Sequence, residues 1–516
     1  MLERIRQGGP VNVAKGVTFS AELLDELLAA LPRDDEDHYV FRQADFYGAT
    51  LPGIKLVGAR FDGRARFEGT NFVGGAVFDR ACFHGHASFA NASFHGSASF
   101  GEAGFGCARF DGARFPGDAW FRKASFQQEA SFDNASFQRD ASFDGAAFHS
   151  DVSFGGARFP QARDLGPVLV RGRLTLEDAV FDQPVRIQAA AAVVDCSGAR
   201  FSGGAQLRLR YAAVALADAN LAEPVILAGV PPFPGVDDAD LAHYLEWPAS
   251  EAGAAWRPRL LSVERADVAG LHLADTDLRA CRFSGAQNLD RLRIEGVPLL
   301  ARPPGPWRAR RVTVAEEHQW RSELGERRRD RGGYLRLDQP NDRGWYPSAC
   351  QPPTYPLGLI REAPVVEPVR IAAVYRELRK GREDAKDEPG AADFYYGEME
   401  MRRHSPTAPA AERAILTLYW LASGYGLRAW RALTALALVI GLVGVAFSQV
   451  GFHRPHPSLA VGWLYALQAT VSLEGKARQL SGQLTLPGGL LRVGLRLSGP
   501  VLLGLALLSI RNRVKR

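Results

Sequence analysis

Eleven histidines and five cysteines are the side chains in this sequence best suited to hold a metal or move a proton. Their spacing argues against both uses. His84, His86, His95 and His149 have neither a neighbouring cysteine nor a regular carboxylate partner, so no zinc set or acid–base pair is spelled out. Cys82, Cys107, Cys196, Cys281 and Cys350 are scattered without a CxxC pair, which suits a reducing compartment. No phosphate-cradling loop, GxSxG elbow or HExxH helix occurs. The residues therefore predict no enzyme, no metal and no cofactor. Arg327, Arg328 and Arg329 could meet anionic lipid or nucleic acid. The nearby Glu316, Glu317, Glu323 and Glu326 make a solvated, self-paired helix end the simpler reading. What remains is a fourteen-residue uncharged stretch, 460–473, followed by a glutamate.

That stretch sits between two longer apolar segments. Ala432 to Phe452 contains twenty-one residues without a charge, enough for a helix to cross the roughly 30 Å hydrocarbon layer. Leu490 to Ile510 is the second predicted span, with Arg492 and Arg496 near one end, where their stems can snorkel. Arg428 and Arg431 precede this hairpin, and Arg511, Arg513, Lys515 and Arg516 follow it. The positive-inside rule then places both termini in the cytoplasm, with Lys476, Arg478, Arg492 and Arg496 reducing the asymmetry. Residues 460–473 are too few to cross and suit a re-entrant or interfacial helix.

The order span, short helix, span resembles the two-span, pore-loop architecture of potassium-type ion channels. In "YALQATVSLEG", the resemblance places Tyr465 and Gln468 on the short helix, with Thr470, Val471, Ser472 and Gly475 near the filter. Leu473 and Glu474 stand where that family has Gly-Tyr, so potassium selectivity does not follow. The resemblance implies a homotetramer with Thr470, Ser472 and Glu474 at its narrowest part. The alternative is an interfacial helix in a plain membrane anchor.

Upstream, large apolar residues recur at steps of five and six: Phe46, Leu51, Leu56, Phe61, Phe67, Phe72, Phe78, and onward to Phe159. Neither the 3.6 period of a helix nor the 2 of a strand fits. A short period sustained this long predicts a solenoid in which each unit points one large side chain inward. Small residues two positions earlier, such as Ala44, Ala59, Ala76, Ala81, Ala87 and Ala92, should also point inward.

Units such as "ARFDGARF", "ASFQQEASF" and "ASFDGAAF" resemble the pentapeptide-repeat family, in a Phe-rich variant with an eleven-residue double unit. The resemblance implies a right-handed, quadrilateral β-helix with one unit per side, and about five and a half coils through residues 41–160. At roughly 4.8 Å per coil that is a rod about 25 Å long. "SAELLDELLAALP" is expected to close its first coil, with Ser20 as N-cap and Leu23, Leu24, Leu27, Leu28 and Leu31 on one face. The period loosens afterwards. Leu176, Phe181, Ile187, Phe201 and Leu207 keep step, as do Val263, Val268, Leu273, Leu278 and Phe283, which predicts a less regular β-helical stack over 161–300.

The resulting organisation is an N-terminal helical cap (1–40), a regular β-helix (41–160), and a second stack (161–300) with an insertion at 223–259. An Arg/Pro-rich linker (301–370), a juxtamembrane helical pair (371–427) interrupted at Pro389 and Gly390, and a transmembrane hairpin (428–516) follow. Seven prolines fall in 340–368. The first thirty residues carry no secretory signal pattern, so the bulk of the chain is expected in the cytoplasm. Residues 41–160 balance twelve acidic against twelve basic side chains, and the whole chain carries only +5. That disfavours the acidic DNA mimicry attributed to some pentapeptide-repeat proteins, and no nucleic-acid partner is expected. The function expected is a bacterial inner-membrane scaffold in contact with the lipid bilayer, offering a cytoplasmic β-helix to a protein partner. The alternative is an oligomeric channel with its pore loop at 460–475, gated by that β-helix.

Overall fold

The structure is a computed structural model describing residues 9–13, 16–221, 223–230, 256–296, 299–304, 311–324, 365–453, 458–471 and 484–514, with Glu3, Ile5 and Trp345 besides. It divides into two compact units, Met1–Val366 and Glu367–Arg516.

The first unit is a four-sided parallel β-solenoid of about ten turns. Most strands of its regular part are two residues long, and each pairs with the strand one coil away. Phe61 lies opposite Phe83, Phe83 opposite Phe105, and Phe105 opposite Phe126. Ala65, Ala87, Ala108 and Ala130 form the adjoining side in the same way. Phe72, Phe94 and Phe115 belong to the third side, and Ala76, Ala98 and Ala119 to the fourth.

The alternation of five and six has a structural cause. Most five-residue steps contain a tight turn: the Ala92 N–H donates to Phe89 O at 3.0 Å, and the Ala113 N–H to Phe110 O at 3.0 Å. The second central residue of those turns, Asn91 or Gly112, has φ of 56° or 64°, the left-handed region that Asn and Gly adopt most readily. A six-residue step rounds an open corner with one extra residue, as in Phe94-His95-Gly96-Ser97-Ala98. Here coil backbones approach closely. A Cβ on Gly117 would stand 2.5 Å from Gly96 O, so this corner requires glycine.

Phenylalanines from the four sides meet inside. Along the axis the rings stack, as Phe89 on Phe110 at 4.9 Å and 4° between planes. Across the axis they meet edge-on, as Phe78 with Phe89 at 5.6 Å and 75°. The stacking distance matches the roughly 4.8 Å interstrand spacing, so the backbone ladder and the ring column share one period. All six alanines expected to face inward are fully buried.

The less regular segment continues the same stack. Phe148 pairs with Val170, and the ring column runs from Phe159 through Phe181 to Phe201. All ten residues expected to keep step there are buried. The solenoid is thus nearly twice as long as the regular repeat alone requires. The insertion expected at 223–259 is narrower at both edges: Val225–Gly229 pairs with Ala205–Leu209, and Arg259 with Ala213. Residues 231–255 lie outside the described residues.

Both ends are covered. At the start, the Val11 N–H donates to Gln43 O and the Phe19 N–H to Thr50 O, each at 2.9 Å. The helix Ala21–Ala29 follows, its Leu23 N–H capped by the Ser20 hydroxyl at 3.2 Å. Leu24, Leu27, Leu28 and Leu31 are buried, but Leu23 is 42% exposed, a correction to the expected face.

At the other end, the region expected as linker holds a helix, Ala315–Glu323. Glu316 and Glu317 are buried rather than part of a solvated helix end. The Glu316 carboxylate accepts from the Phe283 and Ser284 N–H groups at 2.5 and 2.8 Å, binding donors that the terminal coil would leave open. Glu317 pairs with Arg311 and, at 2.6 Å, with Arg321. Arg327–Arg329 and most of the proline-rich segment lie outside the described residues.

The second unit is helical. Pro368–Asp384 and Glu388–His404 form the expected pair, but the break falls at Ala385–Asp387. Pro389 and Gly390 instead occupy the first turn of the second helix, where a missing N–H costs nothing. Glu398 is buried between Arg376 and Arg379, each at 3.1 Å, which ties the two helices together. A third helix, Ala410–Ser423, was not anticipated by the sequence analysis.

Candidate functional site

The site residues expected at a pore belong to a helical hairpin with a short helix packed against it. Ala429–Gly451 and Leu486–Ser509 are long and apolar enough to cross a membrane, and only 17% of the most apolar window of each is buried. Leu438, Leu442, Leu497 and Val501 are 61–70% exposed. The core helix of a soluble domain would bury such side chains, so these two helices leave an apolar surface that only a non-aqueous neighbour satisfies.

The short helix is Leu459–Val471. Its thirteen residues reach about 20 Å, less than the hydrocarbon layer. Small residues let it approach both long helices. A Cβ on Gly462 would stand 2.5 Å from Gly444 O, and one on Gly499 would stand 2.6 Å from the Thr470 methyl. Such close, small-residue contacts are how helices associate where no hydrophobic drive separates them from lipid.

Tyr465 is buried edge-on against Phe447 and Phe452, with ring centres 5.0 and 5.2 Å away. Its hydroxyl has no hydrogen-bond partner among the described residues. Thr470 is buried, and its hydroxyl donates to Ala466 O at 2.8 Å, one turn back along its own helix. Ala466, Ala469 and Leu495 complete this seam. Gln468 is half-buried, and Val471 ends the helix. Ser472, Glu474 and Gly475 lie outside the described residues. The outward face of the short helix carries Leu459, Trp463, Leu464 and Leu467, each about half exposed. The Trp463 indole N–H donates to Gly441 O at 3.2 Å, tying that one side chain to the first long helix. Within the chain, then, polar Tyr465 and Thr470 point into packing, and apolar groups point out.

Arg492 is half-buried and Arg496 exposed. Among the described residues no group of three or more His, Cys, Asp and Glu side chains could hold a metal ion.

The Ala410–Ser423 helix was missed, although its signal was present. Ala411, Ala414, Ile415, Leu418 and Leu421 follow the i, i+3, i+4 spacing of an apolar stripe. Its inner side packs Leu416, Tyr419 and Trp420 against Tyr396, Met399 and Tyr425. The Tyr425 hydroxyl donates to the buried Glu400 carboxylate at 3.1 Å, and burial with that carboxylate beside it holds the phenol well above its ordinary pKa. Tyr425 therefore stays protonated and acts as a hydrogen-bond donor.

Comparison with known families agrees with the solenoid. Residues 46–93, 83–125 and 110–158 each match the family of pentapeptide repeats, in its nine-copy form. No curated protein and no solved structure matches the chain. The match covers the regular coils alone; the rest of the solenoid is defined by its continuous ladders.

Proposed function

We propose that this chain is a non-enzymatic bacterial inner-membrane protein that tethers a cytoplasmic β-solenoid as a docking scaffold for a protein partner. The observation that carries the reading is the joining, in one chain, of a solenoid filled by its own side chains to a hairpin of two exposed, membrane-length helices. A filled interior leaves the outer faces as the solenoid's means of recognition. One of those faces carries an outward column of Lys55, Val77, Ser99, Trp120 and Ser142. Trp120, fourth in that column, is 41% exposed, and a projecting tryptophan suits a protein contact. We prefer the scaffold to the pore because Tyr465 and Thr470 lie in a packed seam while the outward face of the short helix is leucine and tryptophan. Both termini are assigned to the cytoplasm by the basic residues outside the hairpin.

The test uses full-length protein from its membrane. Trp120→Ala should release a co-purifying cytoplasmic protein at an unchanged melting temperature, and wild-type retention would reject this face. A reporter cysteine at Lys476 should label from outside the cell while the C-terminus stays protected. Reproducible currents from the purified protein in planar bilayers, together with a tetrameric mass, would replace the scaffold by the channel.

A further inference from the structure

The third helix of the second unit, Ala410–Ser423, has two apolar sides and only one of them is covered. At 100° per residue, Leu416, Tyr419, Trp420 and Ser423 share the side that packs on the preceding helix. The opposite side carries Ala411, Ala414, Ile415, Leu418 and Leu421, all exposed, with Ile415 and Leu418 at 65% and 66%. The stripe runs about 15 Å along the helix. Glu412, the helix's one acidic group, is turned away into an ion pair with Arg402 at 2.6 Å.

We infer that this stripe lies in the headgroup–acyl boundary of an anionic bilayer, making the helix a surface anchor beside the hairpin. The inference rests on the membrane reading above. Continuity selects lipid as the occupant. Only Gly424–Arg428 separate the helix from the first long helix. That connector is held by the Gly424 N–H on Trp420 O at 2.9 Å, the Gly426 N–H on the Ser423 hydroxyl at 3.0 Å, and the Arg428 N–H on Ser423 O at 3.0 Å. A helix tied this closely to a span must stay at the membrane surface. Trp430, in the span's first turn, is 49% exposed, and an amphipathic ring at that level is typical of the interface. Leu433, Leu438 and Leu442 carry the exposed apolar surface onward from there. Charge agrees. Arg413 is exposed on the helix, and Arg428 and Arg431 flank its end, a basic fringe suited to anionic headgroups.

The test places single nitroxide labels at Ile415, Leu418 and Arg413 in the full chain, with the other accessible cysteines replaced by serine. The protein is reconstituted in nanodiscs of phosphatidylcholine and phosphatidylglycerol. Labels at Ile415 and Leu418 should be broadened more by oxygen than by a water-soluble nickel chelate, and the order should reverse at Arg413. Control labels at Leu438 and Leu442 read the hairpin itself. Nickel-favoured broadening at 415 and 418 with oxygen-favoured controls would overturn the surface anchor alone. Nickel-favoured controls would remove the membrane reading and the anchor with it. Exclusion of both reagents at 415 and 418, with dipolar broadening between labels, would assign the stripe to a second copy of the chain and also overturn the proposal.

Discussion

Replacing Phe105 by alanine is the sharpest test of how the solenoid is held together. Phe105 is 1% exposed, stacked between Phe83 at 4.9 Å and Phe126 at 4.8 Å, with Phe110 edge-on at 6.0 Å. Phe→Ala in a core costs about 3–5 kcal/mol, less where the surroundings relax into the cavity. Relaxation is restricted here because the coils above and below are fixed by backbone pairing at Cys82, Gly104 and Ser125. The cost should therefore fall in the upper half of that range. Phe41, with one stacked neighbour, Phe61 at 4.6 Å, lacks a second stacking partner worth about 0.5–1.5 kcal/mol, so Phe41→Ala should cost less. Arg109→Ala should cost under about 1 kcal/mol, since it loses only an exposed ion pair to Asp111. Urea unfolding of the full chain in detergent gives the totals, and hydrogen exchange gives the location. Nearest-neighbour coupling predicts faster exchange in the coils around 83–126 and little change around 181–201. In double-mutant cycles, Phe83 and Phe105 should couple while Phe83 and Phe126 add independently. Additivity of the adjacent pair, or equal melting temperatures for Phe105→Ala and Arg109→Ala, would refute the ring column as the source of stability.

Three further outcomes follow from the same structure. His318 is buried, and burial lowers its pKa to about 4, with Arg311 and Arg321 adding to the shift and Glu317 opposing it; its 2.7 Å contact with Thr313 belongs to the neutral ring. Its folded pKa lies below the unfolded value near 6.5, so its share of stability is complete above pH 6.5 and is lost towards pH 4, about 3 kcal/mol in all. A His318→Gln variant should show a flatter melting profile across that window, and identical profiles would reject the assignment. Glu398→Ala should cost about 1–3 kcal/mol, the worth of hydrogen bonds to a charged group, because Arg376 and Arg379 lose the carboxylate that ties the two helices but still reach water, read by thermal unfolding of the second unit. Gly117→Val should destabilise the solenoid by more than about 1 kcal/mol because its Cβ meets Gly96 backbone, whereas Gly104→Ala, with open space around its Cβ, should stay within about 1 kcal/mol.

Much of the solenoid was legible because its physics is local and repeated. One inward residue per side, a small residue two positions before it and a nearly constant coil length leave the same trace many times, and every position so identified is buried. The later coils were legible for the same reason even with few phenylalanines, since Val263 to Phe283 keep the period. The ends were only partly legible. Ser20 announces its helix by a local capping rule, but Glu316 caps the last coil through contacts 32 and 33 residues away, which no local pattern encodes. A buried acid followed by arginines reads as a solvated helix, and only the fold shows which arginines it meets. The hairpin was legible from length and hydropathy. The direction of Tyr465 and Thr470 was not, because a short helix that is apolar nearly all round has no face that sequence alone can choose.

The way the solenoid ends bears on what it does. Parallel coils invite further coils, and an uncovered terminal coil is an open edge onto which another chain can add. Here the N-terminal edge is taken by Val11, Thr18 and Phe19 pairing with the first coil, and the C-terminal edge by Glu316 and its helix. Both covers come from the chain itself, which favours a rod of fixed length over a filament. On the scaffold reading proposed above, a partner would approach from the side and meet outward columns such as the one carrying Trp120. Side-on contact fits that proposal, because a membrane tether would raise the effective concentration of a bound partner without closing any face of the solenoid. A solenoid built to polymerise would leave its last coil bare. Replacing Glu316 by alanine therefore offers a direct contrast: it uncovers the Phe283 and Ser284 donors, and the variant should self-associate end to end while the wild type stays at constant mass. Unchanged mass for the variant over a wide concentration range would show that the edge is guarded by the helix as a whole rather than by this carboxylate.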